Sequence, residues 1–210
     1  VEMPILGYGV YQVSPSECER CVRDAISVGY RLIDTAQAYG NEQNVGNAIR
    51  NCSVPREELF IVTKVWISNA RYERAKASID ESLRKLQTDY IDLLLIHQQG
   101  TDEKELYAAI ERAVENGKVH SLGISNYYTQ EDFERITENA TIMPAVIQNE
   151  NHIFYQNTEF QNYVKQFGTI IESYYPFGGR GHTSDSMNNE TILAIAEAHG
   201  KTCLLYTSPS

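Results

Sequence analysis

Residues 59–97, LFIVTKVWISNARYERAKASIDESLRKLQTDYIDLLLIH, carry the pattern that decides the fold. Residues 59–66 are rich in β-branched and aromatic side chains and read as a strand. Residues 70–87 follow as a helix, with Ala75, Ile79, Leu83 and Leu86 three or four apart and charges on the other face. Residues 91–97 are a second apolar run ending in His97. Strand, helix, strand at this spacing is one unit of a parallel sheet.

The same alternation continues outward in both directions. Further strands are expected at 6–10, 31–36, 121–126, 145–150 and 169–175, and further helices at 16–28, 42–51, 102–116, 130–139, 158–167 and 189–199. Gly29, Gly117, Gly168 and Gly200 stand just past helix ends, where the chain turns left-handed. No low-complexity segment or linker interrupts the series, so one domain is expected over residues 1–202.

Strict alternation leaves two architectures: a doubly wound open sheet or a (β/α)₈ barrel. A dinucleotide-binding open sheet carries G-x-G-x-x-G after its first strand. Here Gly7-x-Gly9 is followed by Gln12 at the third glycine position, inside an expected strand. A barrel is favoured instead by what happens at the strand ends. The second run ends at Asp34, the third carries Lys64 near its end, and the next four end at His97, Ser125-Asn126, Gln148-Asn149-Glu150 and Glu172-Ser173-Tyr174. Polar groups at one end of six successive strands form a rim, and the C-terminal rim of a barrel is where its active site lies.

Composition narrows the function. The chain has 210 residues, 42% apolar and 22% charged, as in a soluble globular protein. Its net charge of −10 argues against nucleic acid as partner. No apolar run nears the roughly 20 residues of a membrane helix. Cys18 and Cys21 form a C-x-x-C inside an expected helix; a redox motif would open one, so reduced thiols of a cytoplasmic protein are expected. The three Asn-x-Ser/Thr triplets, at Asn51, Asn139 and Asn189, lack a secretory signal beside them and read as chance.

Asp34, Lys64 and His97 come from three consecutive strands, and Tyr39 follows Asp34 by five residues in a loop able to fold over the rim. A phenol with a pKa of about 10 is a poor proton donor. A neighbouring ammonium lowers that pKa, a carboxylate holds the ammonium in place, and an imidazole can orient a substrate oxygen. The set suits protonation of a developing alkoxide. None of these groups delivers hydride, so a nicotinamide cofactor is implied. Each residue alone has an ordinary reading as a cap, a solvated strand end or loop packing; their conjunction at one rim does not. Two other readings stay open. Lys64 could be the nucleophile of a Schiff-base lyase or aldolase, which requires a desolvated, neutral amine. The chain could also be a non-catalytic cofactor-binding regulatory relative.

These residues lie in motifs that resemble the aldo-keto reductases: Ile33-Asp34-Thr35-Ala36, Tyr39-Gly40-Asn41-Glu42, Thr63-Lys64-Val65-Trp66, Leu95-Ile96-His97, Gly117-Lys118-Val119, Leu122-Gly123-Ile124-Ser125-Asn126 and Tyr174-Tyr175-Pro176-Phe177-Gly178. The resemblance is strongest to the bacterial diketogluconate-reductase-like branch and runs over nearly the whole chain. It implies a (β/α)₈ barrel that binds NADPH and reduces an aldehyde or ketone. It assigns Tyr39 as proton donor, Lys64 and Asp34 as its partners, and His97 as the group that orients the carbonyl. It places Ser125, Asn126 and Gln148 on the nicotinamide carboxamide, Tyr174 against the nicotinamide ring, and the backbone from Phe177 to Gly179 near the pyrophosphate. Tyr11 and Trp66 would line the substrate pocket. A monomer acting on a small-molecule carbonyl is implied.

Three departures stand out. Gln99 replaces a usual Pro after His97, and Ile147 and Ile153 replace an Asn and a Pro around the sixth strand. After Thr202 the sequence leaves the family pattern, and residues 203–210, CLLYTSPS, resemble translated adapter sequence. Eight β-α units need about 250 residues, and seven strands are legible. The expectation is therefore an incomplete barrel, strands one to seven present and the eighth strand and final helix missing. The 2′-phosphate determinants would lie in that missing part, so NADPH rather than NADH rests on the resemblance.

Overall fold

Each apolar run forms a strand, buried on both faces in the middle of the sheet, and each amphipathic stretch a helix laid over it. A computed structural model describes residues 2–179 and 181–204. The strands are β1 (Gly7–Gly9), β2 (Leu32–Asp34), β3 (Phe60–Val65), β4 (Ile91–Ile96), β5 (Val119–Ser125), β6 (Val146–Glu150) and β7 (Ile170–Tyr174). The helices are α1 (Pro15–Ser27), α2 (Glu42–Asn51), α3 (Tyr72–Leu86), α4 (Glu103–Glu115), α5 (Gln130–Thr137), α6 (Thr158–Lys165), a short α7 (Thr183–Met187) and α8 (Glu190–Ala198). Only α7 and three single-turn 3₁₀ segments were not anticipated. Residues 205–210, most of the expected non-native tail, lie outside the described residues.

All strands pair in parallel and in chain order, β1 to β7. The sheet is strongly curled. Gln148 on β6 donates from Nε2 to Asp34 Oδ2 on β2 at 2.8 Å. In a flat sheet four strand spacings of about 4.8 Å would hold these residues about 19 Å apart. Seven parallel strands thus form a curled α/β half-barrel, an incomplete (β/α)₈ barrel. Helices α1 to α6 pack each on the next around the outside. Gly7 and Gly9 are strand residues of β1 rather than a phosphate loop, and Cys18 and Cys21 are free thiols inside α1.

The core has two parts. The larger lies between sheet and helices and holds Ile33, Ile61, Leu94, Ile96 and Ile124. The smaller lies inside the barrel: Leu32, Phe60, Val62, Leu93, Leu95 and Val146, with Met3 packed against them. Side chains alternate between faces along a strand, so the next inward positions above that plug are Asp34, Lys64, His97, Ser125, Gln148 and Glu172, with Tyr174 one inward position beyond Glu172. On α3 the buried stripe is Ala75, Ile79, Ser82 and Leu86. Leu83 is only partly buried, because Ser82 takes the inner place and accepts a hydrogen bond from Gln37.

Strand β7, like β1 at the other edge, is less buried than the central strands. It is only partly buried, whereas β3 and β4 are buried throughout. Ile170, in register with interior Val146, stays 51% exposed. Among the described residues the outer edges of β1 and β7 have no strand beside them.

Candidate active site

Lys64 is the centre of the rim. It is 1% exposed, and its ammonium donates to Asp34 Oδ1 at 2.6 Å, Thr35 O at 3.0 Å and Tyr39 OH at 3.3 Å. All three N–H groups are used. Burial alone would push Lys64 down, but Asp34, with Tyr39, holds it above its ordinary value and hence charged.

Tyr39 closes a 3₁₀ turn, Gln37–Tyr39, that ends on Gly40 in the left-handed region. The turn is tied down by Gln37. Its amide nitrogen donates to Ser78 O and Ser82 Oγ, and its oxygen accepts from Trp66 N and Asn69 Nδ2. Asn41 holds the other side, donating to Val10 O and accepting from Thr35 Oγ1. Burial pushes the Tyr39 phenol above its usual pKa, and Asp34 adds to this, while Lys64 pulls it down. The expected lowering by Lys64 is present but is outweighed, so Tyr39 is a neutral phenol that carries its proton.

His97 stands edge-on to two aromatic rings, Tyr39 at 5.6 Å and Trp66 at 4.9 Å between centroids. Burial, then the Lys64 charge, pushes its pKa down to about 4. The imidazole is neutral, and its Nδ1 is buried without a partner among the described residues. Tyr11, half exposed, packs against Tyr39 at 5.0 Å.

At the ends of β5 to β7 a second group assembles. Ser125 Oγ donates to Gln148 O at 2.8 Å. Asn126, with φ 65°, donates to His97 O at 2.8 Å and accepts from Tyr174 OH at 2.7 Å. Tyr128 OH lies 2.9 Å from Tyr174 OH. The Gln148 side chain reaches inward to Asp34. Phe177 and Gly179 lie beyond β7. Gly179 has φ 69°, and a Cβ there would stand 2.8 Å from Tyr175 Cδ2. Hydroxyls and amides that both donate and accept suit a primary carboxamide, and a bare backbone suits close approach of a phosphate; the residues fit a nicotinamide dinucleotide.

Sequence reasoning reached the four central residues and overlooked their supports, Gln37, Asn41 and Tyr128, together with buried Glu42, which accepts from Thr63 Oγ1. Glu172 was visible as a polar strand end but had no role.

The profile of the aldo/keto reductase family matches residues 6–200. The chain belongs to the aldo/keto reductase family. It is 39% identical over 203 residues to a glyoxal reductase of Bacillus subtilis (strain 168), covering 96% of this chain and 72% of the relative. It is 35% identical to a morphine 6-dehydrogenase of Pseudomonas putida, with the same coverage. Among solved structures it resembles the aldo-keto reductase MGS-M4 from a Medee basin deep-sea metagenome library, with TM-score 0.94 and 38% identity over 99% of this chain and 76% of that one. A structure assigned as a 2,5-diketo-D-gluconic acid reductase B gives TM-score 0.90 at 36% identity, over 98% of this chain and 72% of that one. The family and these relatives make the chain an oxidoreductase of the carbonyl-reducing kind.

Proposed function

We propose that this aldo/keto reductase reduces an aldehyde or ketone to an alcohol with NADPH, Tyr39 donating the proton. The observation that carries the reading is the fully engaged Lys64, bonded at once to Asp34 and to the Tyr39 hydroxyl. NADPH, when bound, supplies the hydride, and NADH would supply the same. Ser125, Asn126 and Gln148 would hold its carboxamide, Tyr174 its ring, and the backbone from Phe177 to Gly179 its pyrophosphate.

The chain's own groups divide the remaining work. Neutral His97 donates from Nε2 to the carbonyl oxygen and fixes its place. Tyr39 transfers its proton to that oxygen as alkoxide charge develops, and Lys64 stabilises the phenolate left behind. Asp34 keeps Lys64 charged and aimed. Tyr11 and Trp66 give the substrate aromatic walls. The name of the Bacillus subtilis relative points to small reactive dicarbonyls as the first substrates to try. A Schiff-base role for Lys64 is disfavoured, because an ammonium with three acceptors has no lone pair to attack with.

The test is NADPH oxidation with glyoxal, simple aldehydes and keto-sugars, using Tyr39→Phe as the control. The variant should lose about 10²- to 10⁴-fold in kcat, the usual share of a general acid. Unchanged turnover would overturn the assignment.

A further inference from the structure

Glu172 lies on β7 in register with Gln148, which is in register with Ser125. Its Oε2 is buried and has no hydrogen-bond partner among the described residues. An ionised carboxylate needs donors on both oxygens, and leaving one bare in the interior is costly. The charged groups that face it are Asp34 of β2 and Lys64 of β3; from β6 the Gln148 amide interacts with the carboxyl and, like the Lys64 charge, favours its ionised form, against burial and Asp34. One ammonium therefore stands among two carboxyls. Lys64 has spent its three N–H groups on Asp34, Thr35 and Tyr39, so none is left for Glu172.

We propose that Glu172 is a positioning residue of the reductase site: carried neutral, it leaves the Asp34–Lys64 pair at zero net charge, and its ionisation weakens Tyr39 as an acid. The inference rests on Tyr39 being the proton donor. Burial, then the Asp34 charge, pushes the Glu172 carboxyl up to about 7. Tyr39 is itself pushed upward, clear of that window. Above neutrality a second negative charge shares the field of Lys64 and opposes formation of the Tyr39 phenolate. A one-unit rise in the Tyr39 pKa is worth up to about tenfold in the equilibrium for proton release.

Two measurements on the full chain test this. Infrared difference spectra against Glu172→Gln should show a protonated carboxyl band that disappears as pH rises through neutrality and is absent from the variant. For reduction, kcat/KM of the wild type should fall severalfold across the same interval, while Glu172→Gln stays level and Glu172→Asp keeps a titrating limb. A wild-type spectrum without a carboxyl band titrating there overturns the proposal, even if the variants do not fold. So do superimposable pH profiles of wild type and Glu172→Gln. Failure of every carbonyl in the panel would count against the reductase reading, whereas the infrared result bears on Glu172 alone.

Discussion

Replacing Lys64 by Met keeps most of the side-chain volume and removes the charge at the heart of the rim. The ammonium that disappears makes three hydrogen bonds, one of them a 2.6 Å ion pair to an Asp34 side chain that is itself only 14% exposed. Asp34 keeps the 2.8 Å bond from Gln148, so it is not wholly abandoned. Breaking a buried pair from one side costs about 3–5 kcal/mol, mostly the penalty of an uncompensated charge. Against a total stability of about 5–15 kcal/mol for a domain, this is a large fraction. The surviving bond from Gln148 puts Lys64→Met near the lower end. Removing Asp34 as well, as Lys64→Met/Asp34→Leu, takes away the stranded carboxylate, and the double variant should regain about 2 kcal/mol or more over the single one. Urea unfolding of wild type, both singles and the double completes the cycle. The reasoning fails if Lys64→Met costs under about 1 kcal/mol, or if the double variant is no more stable than the single.

Tyr39→Phe should fold normally while losing turnover. It gives up one 3.3 Å bond to Lys64 and keeps its ring contacts with Tyr11 and His97, so the melting midpoint should move little, as a thermal melt would show. His97 has a depressed pKa of about 4. The stability it contributes is fully present above its ordinary pKa of about 6.5 and is lost as pH falls toward the folded value. Denaturant midpoints of the wild type should therefore drop over that acid interval relative to His97→Gln, and parallel curves would contradict the assignment. Gly46→Ala should destabilise strongly, because the added Cβ would sit 2.2 Å from Lys85 O where α2 crosses α3. A loss of about 1–3 kcal/mol or more is expected in chemical denaturation, and a neutral effect would mean the helices can separate freely.

The central residues were legible because each sits where a local signal points. Asp34 and His97 end apolar runs, Lys64 interrupts one near its end, and Tyr39 lies in the loop that follows Asp34. Helix ends were legible through glycines such as Gly29, whose φ of 108° only glycine adopts easily. Three features were not. Ser82 displaces Leu83 from the inner face of α3 because it serves Gln37, a partner 45 residues away. Gln148 turns to Asp34 across 114 residues, a contact that no local pattern encodes. Tyr39 rises rather than falls in pKa because burial, which depends on how the loop seats, outweighs the Lys64 charge.

The sequence by itself determined the order of elements, their parallel pairing and the chemistry carried to the strand ends, since side-chain period and backbone preference act over a few residues. The tertiary structure alone decided how far the expected curl goes, bringing Gln148 of β6 into contact with Asp34 of β2, and with it which charges meet. Curvature is the collective result of packing helices outside and a Leu32, Phe60, Val62, Leu93, Leu95 and Val146 plug inside. Charge and hydrogen-bond energies turn on ångströms and on exclusion of water, so Lys64 stays charged, His97 neutral and Glu172 short of donors at Oε2 only once that packing has brought them together.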